Sequence, residues 1–169
     1  MLQVSLLGEI TIRSHGKPIT RFRSQTEIAL LAYLVHSGQA HGRETLADLL
    51  WDADSTSQAL SNLRTVLARL RKQVGDHLVV TRKMLAVTPV APKATDTVRF
   101  QTMLASVGEE RSATATSLLA QGMALYRGEL MAGFSLPNAP RFNDWLLVEQ
   151  ERLRQIAMGG YRLLAGRQA

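Results

Sequence analysis

An α+β unit followed by an all-helical one is the architecture the sequence predicts, and three observations predict it. Short alternating runs separated by turn residues fill the first 22 positions. Three closely spaced segments of helical periodicity and a β-branched hairpin follow. Beyond a proline-containing break at Val90 to Thr95, only helical periodicity remains. At 169 residues and 46% apolar content the chain suits one ordinary domain or two small ones with a real core.

The elements follow in order. Residues 2–6 (LQVSL) and 10–12 (ITI) read as strands, and a Gly16-Lys17-Pro18 turn leads into a third run, Ile19 to Phe22, giving a small antiparallel sheet. Ser24 with Glu27 three residues on is a capping-box pattern that opens a helix through Ile28, Leu31, Leu34 and Val35, ending near Ser37-Gly38. A second helix starts around His41 to Arg43 and carries Leu46, Leu49, Leu50 and Trp51 on one face. Ser55 or Ser57 caps a third, which Gly75 terminates.

That third helix is the most informative stretch. At 100° per residue, Ala59, Leu63, Leu67, Leu70 and Val74 form one stripe with Leu60 and Val66 at its edges. Gln58, Ser61, Thr65, Ala68 and Lys72 occupy the opposite side. Asn62 and Arg69 flank them on one shoulder, Arg64 and Arg71 on the other. No acid lies on that surface. A merely solvated helix face normally mixes Glu with Lys and Arg. After Gly75, His77 to Thr81 and Met84 to Thr88 form a hairpin with Arg82-Lys83 at its tip. Sheet, three helices, then hairpin is the order of a winged helix-turn-helix with an N-terminal antiparallel sheet.

Past the break, Phe100, Met103, Leu104 and Val107 mark one helix, Ser112 to Tyr126 a second, and Arg141 to Leu164 a third with a weak point at Gly159-Gly160. These suggest the start of a helical-repeat array. The predicted domains are residues 1–90 and 96–169, and the natural chain is expected to be longer than this one.

Charge follows the same division. Net charge is +6; residues 1–93 hold 12 Lys/Arg against 7 Asp/Glu, and residues 94–169 hold 8 against 7. A polyanionic partner would meet the first half. No cysteine is present, so disulfides, thiolate zinc sites and cysteine nucleophiles are excluded. The longest apolar run, Ile28 to Val35, falls short of the roughly 18 residues a membrane span requires, and no signal-peptide pattern opens the chain. A cytoplasmic protein is expected. No GxSxG, phosphate-binding glycine loop or HExxH occurs, and His15, His36, His41 and His77 are scattered. Neither enzyme activity, cofactor nor metal is expected.

Several segments together, LLGEITIRSHGKPI, FRSQTEIALLAYLV, GRETLADLLW, ALSNLRTVLARLRKQVGD and LYRGELMAGF, with Trp145 and Arg152-Leu153, resemble the Streptomyces antibiotic regulatory protein (SARP) class of bacterial activators. The resemblance covers nearly the whole chain. It implies an OmpR/PhoB-type winged helix followed by a bacterial transcriptional activator domain similar to tetratricopeptide repeats. Gln25-Thr26 departs from the family at the start of helix one, where basic residues are common. No receiver domain is expected ahead of the winged helix.

Carried over by position, the resemblance directs Asn62, Thr65, Val66 and Arg69 to base edges and Arg71 and Lys72 to phosphates. The helical spacing independently exposes Asn62, Thr65 and Arg69, whose chemistry suits adenine, thymine and guanine edges respectively. Arg64 is expected as a further backbone anchor. Arg43 and Trp51 are expected to touch phosphates from the second helix, and Arg82 and Lys83 to form the wing, with Arg82 at a minor groove. The implied function is a sequence-specific double-stranded DNA-binding transcriptional activator acting at promoter repeats. Its partners would be RNA polymerase and further copies of itself on DNA. The alternative is a helical-repeat interaction scaffold without specific DNA binding.

Overall fold

The computed structural model describes residues 1–88 and 95–168. Strands β1 (Leu2–Ser5), β2 (Thr11–Ser14) and β3 (Lys17–Pro18) form an antiparallel sheet in chain order. Pairing of Val4 with Ile12 and of Gln3 with Arg13 turns Leu2, Val4 and Ile12 into the core and leaves Gln3, Thr11 and Arg13 outside. The third strand differs from expectation. His15 and Gly16 both take positive φ (50° and 78°), the combination that matches strand twist in a two-residue hairpin. The chain therefore pairs at once through Lys17–Pro18. Ile19 donates its N–H to Ile12 O at 2.8 Å, after which Ile19 and Phe22 leave the sheet to pack on the core.

Helix α1 (Gln25–Ser37) starts at Ser24, but the capping box is not reciprocal. The Ser24 hydroxyl donates to the Glu27 carboxylate at 3.5 Å, and Glu27 is buried rather than reaching back over the first turn. A two-residue strand, β4 (His41–Gly42), comes before α2 (Arg43–Leu50), which starts at the last position of the His41 to Arg43 range expected for it. Trp51 lies just past α2 in extended backbone (φ −132°, ψ 129°) rather than on the helical face. Ser55 caps α3 (Thr56–Val74), its Oγ accepting from Gln58 N–H at 3.1 Å. Gly75 stays right-handed (φ −53°), so α3 tightens into a 3-10 turn over Gly75–His77 instead of stopping at a left-handed glycine. β5 (Leu78–Val80) and β6 (Met84–Val87) complete a second sheet of order β4-β6-β5.

The remaining helices are α4 (Asp96–Val107), α5 (Ala113–Leu125), capped by Ser112, and α6 (Pro140–Gln168). At 29 residues, α6 runs about 44 Å. Gly159-Gly160 does not interrupt it. Gly160 is buried where a Cβ would strike the Met123 sulfur and sit 3.1 Å from Leu104 Cδ2, so the missing side chain lets α6 close on α4 and α5.

The expected break falls mostly at residues 90–94, outside the described residues. Thr95 is described and bridges in parallel to Val4. Both halves contribute to one buried cluster extending from Leu2 to Ala157. Asp96 is the chief polar tie: its buried carboxylate accepts from Leu6 N–H (2.8 Å), Leu7 N–H (2.9 Å) and Arg127 Nη2 (3.1 Å). Gly8, at φ 95°, donates to Glu129 O and lies so near Gly128 that a Cβ on the latter would stand 3.1 Å from Gly8 Cα. The His36 ring spans the junction, meeting Thr97 Oγ1 at 3.0 Å and Glu149 Oε2 at 2.8 Å, while Tyr33 meets Trp145 edge-on at 4.8 Å. No described helix is long and apolar enough to cross a membrane.

Candidate nucleic-acid interface

Helix α3 exists because its apolar stripe has somewhere to go. Ala59, Leu63, Val66, Leu67, Leu70 and Val74 are buried, and each full leucine burial contributes about 1.5–3 kcal/mol. What this leaves outside is fixed by the helical period. Gln58, Ser61, Arg64, Thr65, Ala68, Arg71 and Lys72 are exposed, and Asn62 and Arg69 are half-buried on one shoulder. Not one residue of α3 is acidic, and Arg71 and Lys72 occupy its last turn, where the helix dipole favours cations.

The side chains on this face are ordered locally. Gln58 Nε2 donates to Asn62 Oδ1 at 3.0 Å, fixing the carboxamide along the helix. Thr65 Oγ1 donates back to Ser61 O at 3.3 Å, one turn earlier on the same helix. Val66 is corrected. It is 7% exposed and belongs to the core, so it cannot present itself to a base edge without unpacking the helix.

The hairpin stands beside α3 on the shoulder that carries Arg64. Leu78 pairs with Val87 and Val80 with Leu85, leaving Thr81 to Met84 as the turn, closed by Thr81 N–H to Met84 O at 3.0 Å. Arg82 and Lys83 are exposed at its tip. β4 pins the other side: His41 pairs with Leu85, Gly42 with Met84, and Arg43 N–H reaches Lys83 O at 2.9 Å. Between α3 and the tip lies a cleft of about 550 Å³ whose lining includes Arg43, Arg64, Arg82 and Lys83. Glu44 also reaches it.

Arg43 and Trp51 sit differently from the other expected contacts. The Arg43 Nε and Nη2 donors both go to Thr81 O, at 3.1 and 2.9 Å. Its first structural task is to hold the hairpin against α2. Trp51 packs on the core and shares a depression with Glu44, Asp52, Asp54 and the Asp48–Arg141 ion pair, a surrounding with an excess of acids that disfavours a phosphate there. The sequence reading missed β4 and the juxtaposition of Arg64 with the hairpin. Two residues cannot display an alternation, so β4 left no signal. His41 within it lies 4.9 Å from the Tyr33 ring, with Nε2 2.7 Å from Ser37 Oγ, and burial lowers its pKa. Among the described residues, no three His, Asp or Glu side chains gather as a metal cage.

Comparison with known proteins adds relatives to this geometry. No protein-family model matches the chain. It is 30% identical over 155 residues to regulatory protein AfsR of Streptomyces coelicolor. Against regulatory protein AfsR of Streptomyces griseus it is 27% identical over 154 residues. Both matches take in 86% of this chain but 16% of the relative, so the chain spans a small part of these proteins. The solved structure of Mycobacterium tuberculosis EmbR in complex with a low affinity phosphopeptide matches with a TM-score of 0.78 at 19% identity, over 98% of this chain and 46% of that one. It has the same α+β order, with small antiparallel sheets and then helices. Over the segment it shares with them, the chain is similar to these regulatory proteins in sequence and to the EmbR structure in fold.

Proposed function

We propose that this chain is the DNA-binding portion of a transcriptional activator. Residues 1–90 act as a winged helix-turn-helix, and residues 96–169 begin a tetratricopeptide-like activator domain. In this reading α3 enters the major groove with Asn62, Thr65 and Arg69 at base edges. Arg64, Arg71 and Lys72 contact phosphates, Arg82 reaches the adjacent minor groove, and Lys83 supports it. Arg43 contributes mainly by positioning the wing, and Trp51 by packing on the core.

The observation that carries the reading is the acid-free face of α3 running into a cleft bordered by Arg64, Arg82 and Lys83. A duplex laid along that face meets phosphate-binding groups along the shoulder that carries Arg64 and the hairpin tip. Exposed Leu147 and Val148 on α6 support protein contacts by the helical half, with RNA polymerase or another copy on tandem promoter repeats as partner. The relatives' shared description as regulatory proteins is consistent with this.

Selection of bound sequences from random duplexes tests it. Enrichment of a defined site, with log affinity falling linearly with log salt at a slope near −0.9 per phosphate contacted, is the expected result. Absence of any duplex binding would leave the helical scaffold as the function.

A further inference from the structure

A second cationic cleft lies away from α3, on the outer face of the first sheet. The strand alternation that buries Leu2, Val4 and Ile12 also sets Gln3 opposite Arg13 and Ser5 opposite Thr11 on the other face. Arg99 of α4 and Arg127, just beyond α5, border the same hollow of about 530 Å³. Its lining thus draws a polar strand pair from the first half and two arginines from the second. The acid present, Asp96, is already occupied. It is buried, its oxygens take the Leu6 and Leu7 N–H groups, and it anchors Arg127 at 3.1 Å. Among the described residues Arg13 and Arg99 make no ion pair. Three guanidinium groups around one spent carboxylate leave an excess of two positive charges beside two hydroxyls and a carboxamide.

We propose that this cleft binds a phosphorylated small molecule, with the phosphate held by Arg13, Arg99 and Arg127. The donor set selects the ligand class. Planar guanidinium forks match the oxygens of a phosphate in pairs, and the Ser5 and Thr11 hydroxyls add donors for a group carrying more oxygens than a carboxylate. Because Arg13 comes from β2 while Arg99 and Arg127 come from the helical half, the bound anion links the two. Occupancy therefore stabilises their junction by mass action. The proposal does not depend on DNA binding by α3.

The test titrates the chain with inorganic pyrophosphate, and in parallel with adenosine diphosphate, in low-salt buffer free of phosphate and sulfate, following backbone amides by NMR. Saturable shifts at Gln3, Ser5, Thr11 and Arg13 are expected. Arg13→Ala and Arg99→Ala should each weaken binding about tenfold, the loss of one charge-assisted contact. Arg99→Lys should retain part of the affinity, and the double variant R69A/R82A should leave it unchanged. Tighter binding of the nucleotide identifies a phosphate ester as the ligand, and equal binding identifies the phosphates alone. Non-saturating shifts, or shifts on α3 and the hairpin that R69A/R82A abolishes, overturn the site.

Discussion

Helices α3 and α6 both carry arginines along exposed faces, but among the described residues Arg141, Arg152 and Arg154 of α6 are paired with acids and those of α3 are not. On α6, Arg152 bonds Glu149 at 2.9 Å and Arg154 bonds Glu151 at 2.8 Å, each three residues apart, while Arg141 reaches Asp48 at 2.7 Å. On α3, Arg64, Arg69 and Arg71 have no carboxylate partner among the described residues. The difference lies in what stands one turn away. Glu149 and Glu151 precede their arginines on α6; the corresponding places on α3 hold Ser61, Val66 and Ala68. A cation already met by an acid contributes little to a polyanion's binding, so the second half can be rich in arginine and still be the wrong surface for DNA.

The largest expected effect concerns Asp96, a carboxylate that is both buried and paired. Asp96→Ala should leave the Leu6 and Leu7 N–H groups without acceptors and free Arg127, costing about 3 kcal/mol, at roughly 1–3 kcal/mol for each unsatisfied buried group. A urea midpoint within error of the parent would show that the junction does not depend on this carboxylate.

The next experiment gives α3 the character of α6. Ala68→Glu puts a carboxylate four residues from Arg64 and Lys72 and three from Arg71, on an exposed position where the fold has no objection. Duplex affinity by fluorescence anisotropy should fall about a hundredfold, near 2.7 kcal/mol, with helicity unchanged. Retained affinity would mean that α3 does not face the phosphates. Arg69→Ala follows, at about 1–3 kcal/mol, and should relax base preference at one position of the selected site. Smaller still is Arg82→Ala, which should weaken binding modestly and reduce the salt slope by about 1. An unchanged slope would remove the hairpin tip from the interface.

Much of this contrast was legible in the sequence, and the parts that were not share a cause. The apolar stripe of α3 repeats over 19 residues, enough turns for its spacing to predict both the buried and the exposed face. The hairpin was readable because β-branched runs flank a basic turn. By contrast, the third strand was placed at Ile19 to Phe22 although Lys17–Pro18 forms it, because apolar residues that leave a sheet to pack elsewhere look the same as strand residues. Gly159-Gly160 looked like a weakness because propensity reports the isolated helix, whereas Gly160 answers to Met123 and Leu104 from other elements. Positional resemblance directs Val66 to bases, whereas it lies in the core. Arg64 joining Arg82 and Lys83 needed the tertiary fold, since 18 residues separate the first two.

The finest version of the comparison lies within α6 itself. Glu149 and Glu151 each stand three residues before an arginine and bond it at 2.9 and 2.8 Å, and both have lowered pKa values. For Glu149 the Arg152 hydrogen bond is the main cause, aided by His36 and opposed by burial; for Glu151 the Arg154 bond, aided by Gln155, brings the value to about 2. A carboxylate whose folded pKa lies below its unfolded value stabilises the protein above the unfolded pKa, and the contribution disappears as pH falls through the folded one. Both should therefore contribute near neutrality and cease to contribute in acid, below the usual carboxylate value of about 4.3. Yet Glu151 and Arg154 stand in open solvent, where water screens the pair and ordering two long side chains offsets its gain. Glu149 is largely covered and tied to His36 across the junction. Glu149→Gln should accordingly lower the urea midpoint at pH 7 and flatten its decline between about pH 5 and 3, whereas Glu151→Gln should leave the curve where it was. If the exposed substitution moved the midpoint as far as the covered one, pairing alone rather than its burial would be what distinguishes the arginines of α6 from those of α3.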